Sequence, residues 1–308
     1  LRHIGVDHII VSDAGSTDGT LDVLEAEQRA GHVTVTHVDP DEIVDYDTES
    51  ARAVALARAS GAEWVLFMDA DEFFIPATGS LKDCRHLHDA DIIVADRFNV
   101  VVTPRHLLMP ATLAPRHSGS LSLFTRHVAD FRSYLETHPH APFVTVRPGP
   151  KVMARVSVAT AVAPGGHDVG AGDRSVRRVA ATDLIVAHVP FSTKDRFERK
   201  VANIRNEVEV HPAYFAGGYA WHWRRWAEMT APGAIDAEFA LQVSDDGALE
   251  GWRREGIVRS AEELLAERAP MIDAVREPSF GGRLWADVHA WSQRLWHPRF
   301  RPVDALGH

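Results

Sequence analysis

The most constraining feature of this sequence is a continuous apolar run, Trp64-Val65-Leu66-Phe67-Met68, that leads directly into Asp69-Ala70-Asp71. An unbroken run of this length is typical of a strand that is buried on both faces of a sheet. Strand and helix patterns alternate before it, in the order strand Val6–Val11, helix Leu21–Arg29, strand His32–Val38 and a second helix that stops at Gly61. This order predicts an α/β fold, a doubly wound and mostly parallel sheet with helices on both faces.

The two aspartates after the apolar run are candidate metal ligands. In an extended segment, residues two apart share one side, so Asp69 and Asp71 are expected to point the same way. Paired carboxylates suit Mn²⁺ or Mg²⁺, and such an ion offsets the charge that builds on a nucleotide diphosphate as a sugar leaves. The alternative is a solvated acidic turn.

A second polar loop, from Asp13 to Thr20, follows the first predicted strand. Its glycines allow close approach to a ligand, and Asp13, Ser16 and Asp18 offer acceptors to a base or ribose. An aspartate turn followed by a helix cap is the alternative interpretation. Ligands of open α/β sheets bind beyond the carboxyl ends of the strands, where both loops are predicted to lie.

The segments SDAGSTDGT and WVLFMDADEFF together resemble the two signature loops of the family 2 glycosyltransferases with the GT-A fold. The similarity continues in the same order over roughly residues 5–201. It includes a KxxxR-like strand at Lys151–Arg155, a GxHxV-like loop at Gly165–Val169, and a segment from His188 to Thr193 that is followed by Phe197 and Lys200. Two positions depart from the pattern, because Ser192 stands where the family has arginine and Gly166 where it has asparagine.

The resemblance implies transfer of a sugar, usually with inversion, from a nucleotide diphosphate sugar to a hydroxyl of a glycan, a lipid-linked glycan or a protein. It also implies roles for individual residues: Asp13 at the base or ribose; Asp69 and Asp71 at the metal; His188 as a third metal ligand or phosphate contact; Lys151, Arg155 and Lys200 near the diphosphate. The general base is not identified, and Asp168 and Glu136 are candidates because both lie in irregular segments. Glu72 is a further carboxylate that is suited to orienting the metal loop.

The resemblance also predicts how the chain is organised. We expect a GT-A domain at residues 1–218 and a helical extension at 219–308, whose tryptophans pack in the core. The chain starts at Leu1, without the family's first strand, which suggests a truncated start. That absence keeps a catalytically impaired GT-A-like binding domain as one alternative. A phosphatase with a DxD nucleophile and a nucleotidyltransferase are others, although their flanking patterns are missing.

The composition of the chain limits the classes of partner, metal site and location that we expect. The net charge of −10 disfavours nucleic acid as a partner. Eighteen histidines with a single cysteine lack the spacing of a zinc site. One cysteine fits a reducing compartment, and no apolar run reaches the roughly 20 residues that span a bilayer. We therefore expect a cytoplasmic protein without a transmembrane segment, peripheral at most to the inner membrane face.

Overall fold

A five-stranded mixed sheet lies at the centre of the computed structural model of this chain. The structure describes residues 1–13, 15–38, 46–104, 121–128, 131–172, 174–190, 193–210 and 221–268. The strands in these ranges are β1 (Ile9–Asp13), β2 (Val33–His37), β3 (Trp64–Leu66), β4 (Glu72–Pro76), β5 (Ile92–Asn99), β6 (Ser122–Phe124), β7 (Lys151–Arg155), β8 (Ala161–Val162), β9 (Val169–Gly170), β10 (Arg178–His188) and β11 (Val258–Ser260). The helices are α1 (Thr20–Arg29), α2 (Tyr46–Ala59), α3 (Phe131–Thr137), α4 (Lys194–Val210), α5 (Trp221–Ala227), α6 (Ala234–Gln242), α7 (Asp246–Arg254) and α8 (Ala261–Arg268).

The α/β class is confirmed, but the central sheet is not mostly parallel. Its strand order is β3-β7-β5-β10-β4, and β5 with β10 is its parallel pair. The pairs β3–β7, β5–β7 and β10–β4 are antiparallel, and β1 with β2 forms a separate parallel pair. The reason is the placement of β7, which inserts between β3 and β5 and runs antiparallel to both, and of β4, which is antiparallel to β10 at the other end of the order.

Strand β10 shows how both faces of the sheet are covered. Leu184 and Val186 pack on one face, in a cluster that contains Phe74. Ile185 and Ala187 point to the other face and pack with residues of α8. Successive side chains of a strand point to opposite faces, and here both faces are covered, so Leu184 to Ala187 are all buried. This explains the continuous apolar run LIVA in the sequence.

The carboxyl-terminal part, residues 221–268, is mostly helical, as predicted, and it shares hydrophobic clusters with the rest of the chain. Trp226 of α5 is 1% exposed and packs edge-on against Phe197 of α4. Strand β11 pairs with β6, and Trp252 of α7 meets Phe124 edge to face. These tryptophans contribute to the core, as predicted. Trp285, Trp291 and Trp296 lie outside the described residues.

Candidate active site

The acidic segment between β3 and β4 is a closed turn. The Glu72 backbone N–H donates to the Asp69 carbonyl at 3.1 Å, and the Asp69 backbone N–H donates to Oε2 of Glu72 at 3.0 Å. The expectation that Asp69 and Asp71 share one side of an extended segment is therefore wrong, because strand pairing of β3 ends at Leu66. The turn gives the two carboxylates different neighbours.

Asp69 faces Lys151, which belongs to a buried group of charges. The Lys151 ammonium is fully buried and lies 2.9 Å from Oδ2 of Asp69 and 2.7 Å from Oε2 of Glu72. Glu72, also fully buried, accepts a second charged contact from Arg97. Gly166, at φ +64°, packs against this group, since an added Cβ would lie 3.3 Å from Nζ of Lys151. Lys151 was predicted to contact the donor, but its ammonium instead holds the acidic turn to the sheet.

Asp71 faces a different lysine and a histidine. Its Oδ2 accepts a hydrogen bond from Nζ of Lys200 at 3.0 Å and lies 3.6 Å from Nε2 of His188. The Val189 N–H donates to the Asp71 carbonyl at 2.8 Å, which ties the turn to the end of β10. Burial opposes ionisation of Asp71, but the neighbouring His188 and Lys200 outweigh it and lower the pKa of the carboxyl. Burial also lowers the pKa of His188.

Asn99, at the end of β5, fixes the orientation of His188. The Asn99 Nδ2 group donates to the carbonyls of Phe143, Val144 and Val146, so its Oδ1 must face the histidine. Nδ1 of His188 lies 2.8 Å from that oxygen and therefore carries the proton. The other ring nitrogen, Nε2, faces the Asp71 carboxylate.

Oδ2 of Asp71 thus has Nζ of Lys200 and Nε2 of His188 as neighbours. The separation of 3.6 Å between Nε2 of His188 and Oδ2 of Asp71 is below twice a metal–ligand bond of about 2.1 Å, so the two atoms are close enough to share one divalent ion. Asp69 is not grouped with it, and no set of three His, Cys, Asp or Glu side chains in the described ranges forms a preformed metal site.

The first loop is organised around its own aspartates. Oδ2 of Asp13 accepts the backbone N–H groups of Gly15 at 3.1 Å and Ser16 at 3.2 Å, and Asp13 is buried. Hydrogen bonds from Ser16 lower the pKa of the Asp13 carboxyl. Asp18 accepts from the backbone and hydroxyl of Thr20, where α1 begins. Asp18 and Lys200 line one cleft, which brings the first loop next to the Asp71 site.

The remaining predicted site residues lie elsewhere. Arg155 was expected near the diphosphate, but it is at the opposite end of β7 from Lys151. Its guanidinium donates to the carbonyls of Ala90 and Leu87 and pairs with Glu63. The prediction for Arg155 is wrong, because four residues along a strand separate two side chains by about 13 Å.

The two candidate bases have different surroundings. Oδ1 of Asp168 accepts from Arg178 at 2.6 Å and from the Val169 N–H at 2.7 Å. Glu136 is exposed on α3, a few residues before the segment that carries Phe143. The role of either carboxylate as base stays a prediction.

Asn99 and Arg97 were not identified from the sequence. Both are polar side chains in the second half of strand β5, IIVADRFN, whose first four residues are apolar. A polar residue at the end of a buried strand can indicate a site residue in the sequence, because its side chain must find hydrogen-bond partners in the interior. The partners themselves, Glu72 and His188, come from other strands.

Replacing Asn99 is expected to weaken metal binding. Without Oδ1 as an acceptor, His188 loses its fixed tautomer and ring orientation, and losses of this kind cost about 10–100-fold in metal affinity. Mn²⁺ affinity of Asn99→Ser should be measured by calorimetry, with Asn206→Ser on the exposed face of α4 as control. Equal Mn²⁺ affinity in both variants and the parent would contradict this assignment.

The described residues form a mixed α/β sheet that carries an acidic turn, a histidine and a lysine at one edge. Residues 3–106 of the 308 match the family model described as Glycosyl transferase family 2, and this match supports a glycosyltransferase with the GT-A fold. The matched stretch runs from before β1 to just beyond β5, so it contains Asp13, Asp69 and Asp71 and precedes His188. No curated protein and no solved structure matches the chain.

The described helices are not of a membrane-spanning kind. None of those in the ranges given above is both long and apolar enough to cross a bilayer. The cytoplasmic location stays a prediction.

Proposed function

We propose that the protein transfers a glycosyl group from a nucleoside diphosphate sugar to an acceptor hydroxyl, with Mn²⁺ or Mg²⁺ as cofactor and with inversion at the anomeric carbon. The observation that carries this proposal is the approach of Oδ2 of Asp71 to Nε2 of His188 at 3.6 Å. Lys200 lies on the same carboxylate.

Asp71 and His188 are the residues that would hold the metal, and Asp69 completes the acidic turn. A bound divalent cation supplies Lewis-acid stabilisation of the charge on the departing diphosphate. Lys200 is partly exposed, so its ammonium can donate to a diphosphate oxygen while it remains near Asp71. The Lys200 contact to the Pro190 carbonyl keeps the ammonium at this edge of the sheet.

The nucleoside is assigned to the first loop. The carboxylate of Asp13 orders the backbone of Gly15 and Ser16 and also accepts from the Ser16 side chain, so Asp13 acts as a positioning residue in this proposal. Asp18 lies on the wall of the cleft that Lys200 also lines, which supports a nucleoside on the same side as the diphosphate.

Of the two candidate bases, Glu136 is the better one. Arg178 and the Val169 N–H both bind Oδ1 of Asp168, so that carboxylate already has two hydrogen-bond donors, whereas Glu136 is exposed. We expect Glu136→Gln to lower kcat about 100-fold or more, and Asp168→Asn to lower it less than tenfold. Transfer rates of the two variants at saturating donor are the measurement. A larger loss in Asp168→Asn would reverse the assignment.

Nucleotide titration tests the function itself. UDP and then GDP should be titrated by calorimetry into the protein with and without Mn²⁺. Binding of one nucleotide that requires the metal supports the proposal and identifies the donor nucleotide. Metal-independent binding, or none, would contradict it in this chain and leave a GT-A domain that has lost its activity.

A further inference from the structure

A buried carboxylate on α6 gathers polar groups that the proposed transfer does not use. Glu238 is buried and accepts from the Arg225 guanidinium at 2.5 Å and from Nε1 of Trp226 at 2.9 Å. It also accepts from Nε2 of Gln242, which lies one turn further along the same helix, at 2.8 Å. A buried carboxylate is costly unless it is paired and hydrogen-bonded, and these donors supply both conditions. The bonds therefore hold the four side chains in one arrangement.

Glu238 determines which way the Gln242 amide faces. Because the Nε2 group of Gln242 donates to the carboxylate, its Oε1 faces the other side, where it accepts the backbone N–H of Phe143 at 2.7 Å. Arg225 reaches the same segment and donates to the Ala141 carbonyl at 3.1 Å. The helices α5 and α6 therefore hold the backbone of Ala141 and Phe143 in place.

The segment that begins at Ala141 also orients the histidine of the proposed metal site. Three of its carbonyls accept from Nδ2 of Asn99, and Oδ1 of Asn99 lies 2.8 Å from Nδ1 of His188. In addition, the ring of Phe143 meets the ring of His188 edge to face, with the centroids 6.0 Å apart. A shift of Phe143 would therefore move both the amide and the aromatic ring that contact His188.

We propose that Glu238 and Gln242 are positioning residues for His188, which act through the backbone of Phe143 and through Asn99. The inference rests on the proposed role of His188 in holding the metal. All five side chains of this series are buried. A buried polar group that loses its partner stays unsatisfied, so a change at Gln242 should be transmitted along the series to His188. The carboxyl-terminal helices thereby set the affinity of the site for Mn²⁺.

Gln242→Met tests the inference, because methionine has a similar length but no amide to bind Phe143 and Glu238. Mn²⁺ affinity, measured by calorimetry on the whole chain, should fall about threefold to tenfold, which is less than the 10–100-fold cost of losing a direct orienting partner. The ring-nitrogen chemical shifts of His188 should change in the metal-free variant. Their signals among the eighteen histidines are identified by their loss in His188→Gln.

Two further variants separate positioning from a general loss of packing. Gln28→Met removes a glutamine bond of the same kind, to the Val35 N–H at 2.8 Å between α1 and β2, and should keep the parent values in both measurements. Glu238→Gln/Gln242→Glu exchanges the two head groups, so that position 242 again offers an acceptor to the Phe143 N–H. This exchange should recover the Mn²⁺ affinity and the His188 shifts.

The outcomes distinguish the inference from the proposed function. Parent values in folded Gln242→Met, equal changes in Gln28→Met, or changes that the exchange does not recover would overturn the inference. If Gln242→Met does not fold, Glu238→Gln alone should give smaller changes of the same kind, and parent values there overturn it. If the parent protein binds no Mn²⁺, the proposed metal function fails, and the His188 shifts alone decide whether Gln242 positions the histidine.

Discussion

Changing Asp71 to asparagine is expected to weaken Mn²⁺-dependent nucleotide binding by more than about a hundredfold and to abolish measurable transfer. The variant keeps the size of the side chain and removes the negative charge that pairs with Lys200 and faces Nε2 of His188. Loss of an orienting neighbour alone costs about 10–100-fold in metal affinity, so loss of a direct ligand should cost more. Calorimetric titration of the nucleotide with and without Mn²⁺ measures the effect.

The control for this variant is Asp7→Asn. Asp7 makes an ion pair with Lys82 and its side chain is 80% exposed, so the same chemical change is made far from the acidic turn. Thermal unfolding of both variants checks that the fold is intact. If Asp71→Asn binds nucleotide and metal like Asp7→Asn, Asp71 is not a metal ligand.

Changing Glu72 to glutamine is expected to destabilise the fold by about 3–5 kcal/mol, which corresponds to a fall in Tm of at least about 6 °C. Glu72 is fully buried between Lys151 and Arg97, and the change removes its charge from both cations, of which Lys151 keeps Asp69 as an acidic neighbour. A buried pair that loses one partner is costly because the other charge stays desolvated. Denaturant unfolding of the parent and the variant gives the free energy difference.

Two further variants make this result specific. Glu27→Gln on the exposed surface of α1 has the same change in charge and should alter stability by less than about 0.5 kcal/mol. Lys151→Met added to Glu72→Gln removes one of the stranded cations and should recover part of the loss. A Glu72→Gln protein as stable as the parent would show that the buried charges are not coupled as the distances suggest.

Local pattern was enough for most elements of the first half of the chain. Helix α1 was predicted at Leu21–Arg29 and is observed at Thr20–Arg29, because glycines bracket it and its apolar and polar residues follow a helical period. The predicted strands at Val6–Val11 and His32–Val38 correspond to β1 and β2 within a few residues. Strand β4 was missed, since EFFIP directly after an acidic turn resembles the end of the preceding strand.

Strand direction could not be predicted from the same pattern. A buried strand has the same apolar composition whether its neighbour runs parallel or antiparallel to it. Strand β7 inserts between β3 and β5 only once residues distant in sequence have come together. The central sheet, which was expected to be parallel, is therefore mixed. Arg155, which was expected near the diphosphate, lies at the end of β7 away from Lys151.

The acidic turn, the first loop and the glycosyltransferase class were all determined by the sequence itself, because contiguous residues carry them. The partners of those residues were decided by the tertiary structure: Lys151 for Asp69, Lys200 and His188 for Asp71, and Asn99 for His188. In sequence, Lys151 is 82 residues from Asp69 and Lys200 is 129 residues from Asp71. No local periodicity relates such positions, so the choice of partner depends on which strand ends and helix faces meet when the core is packed.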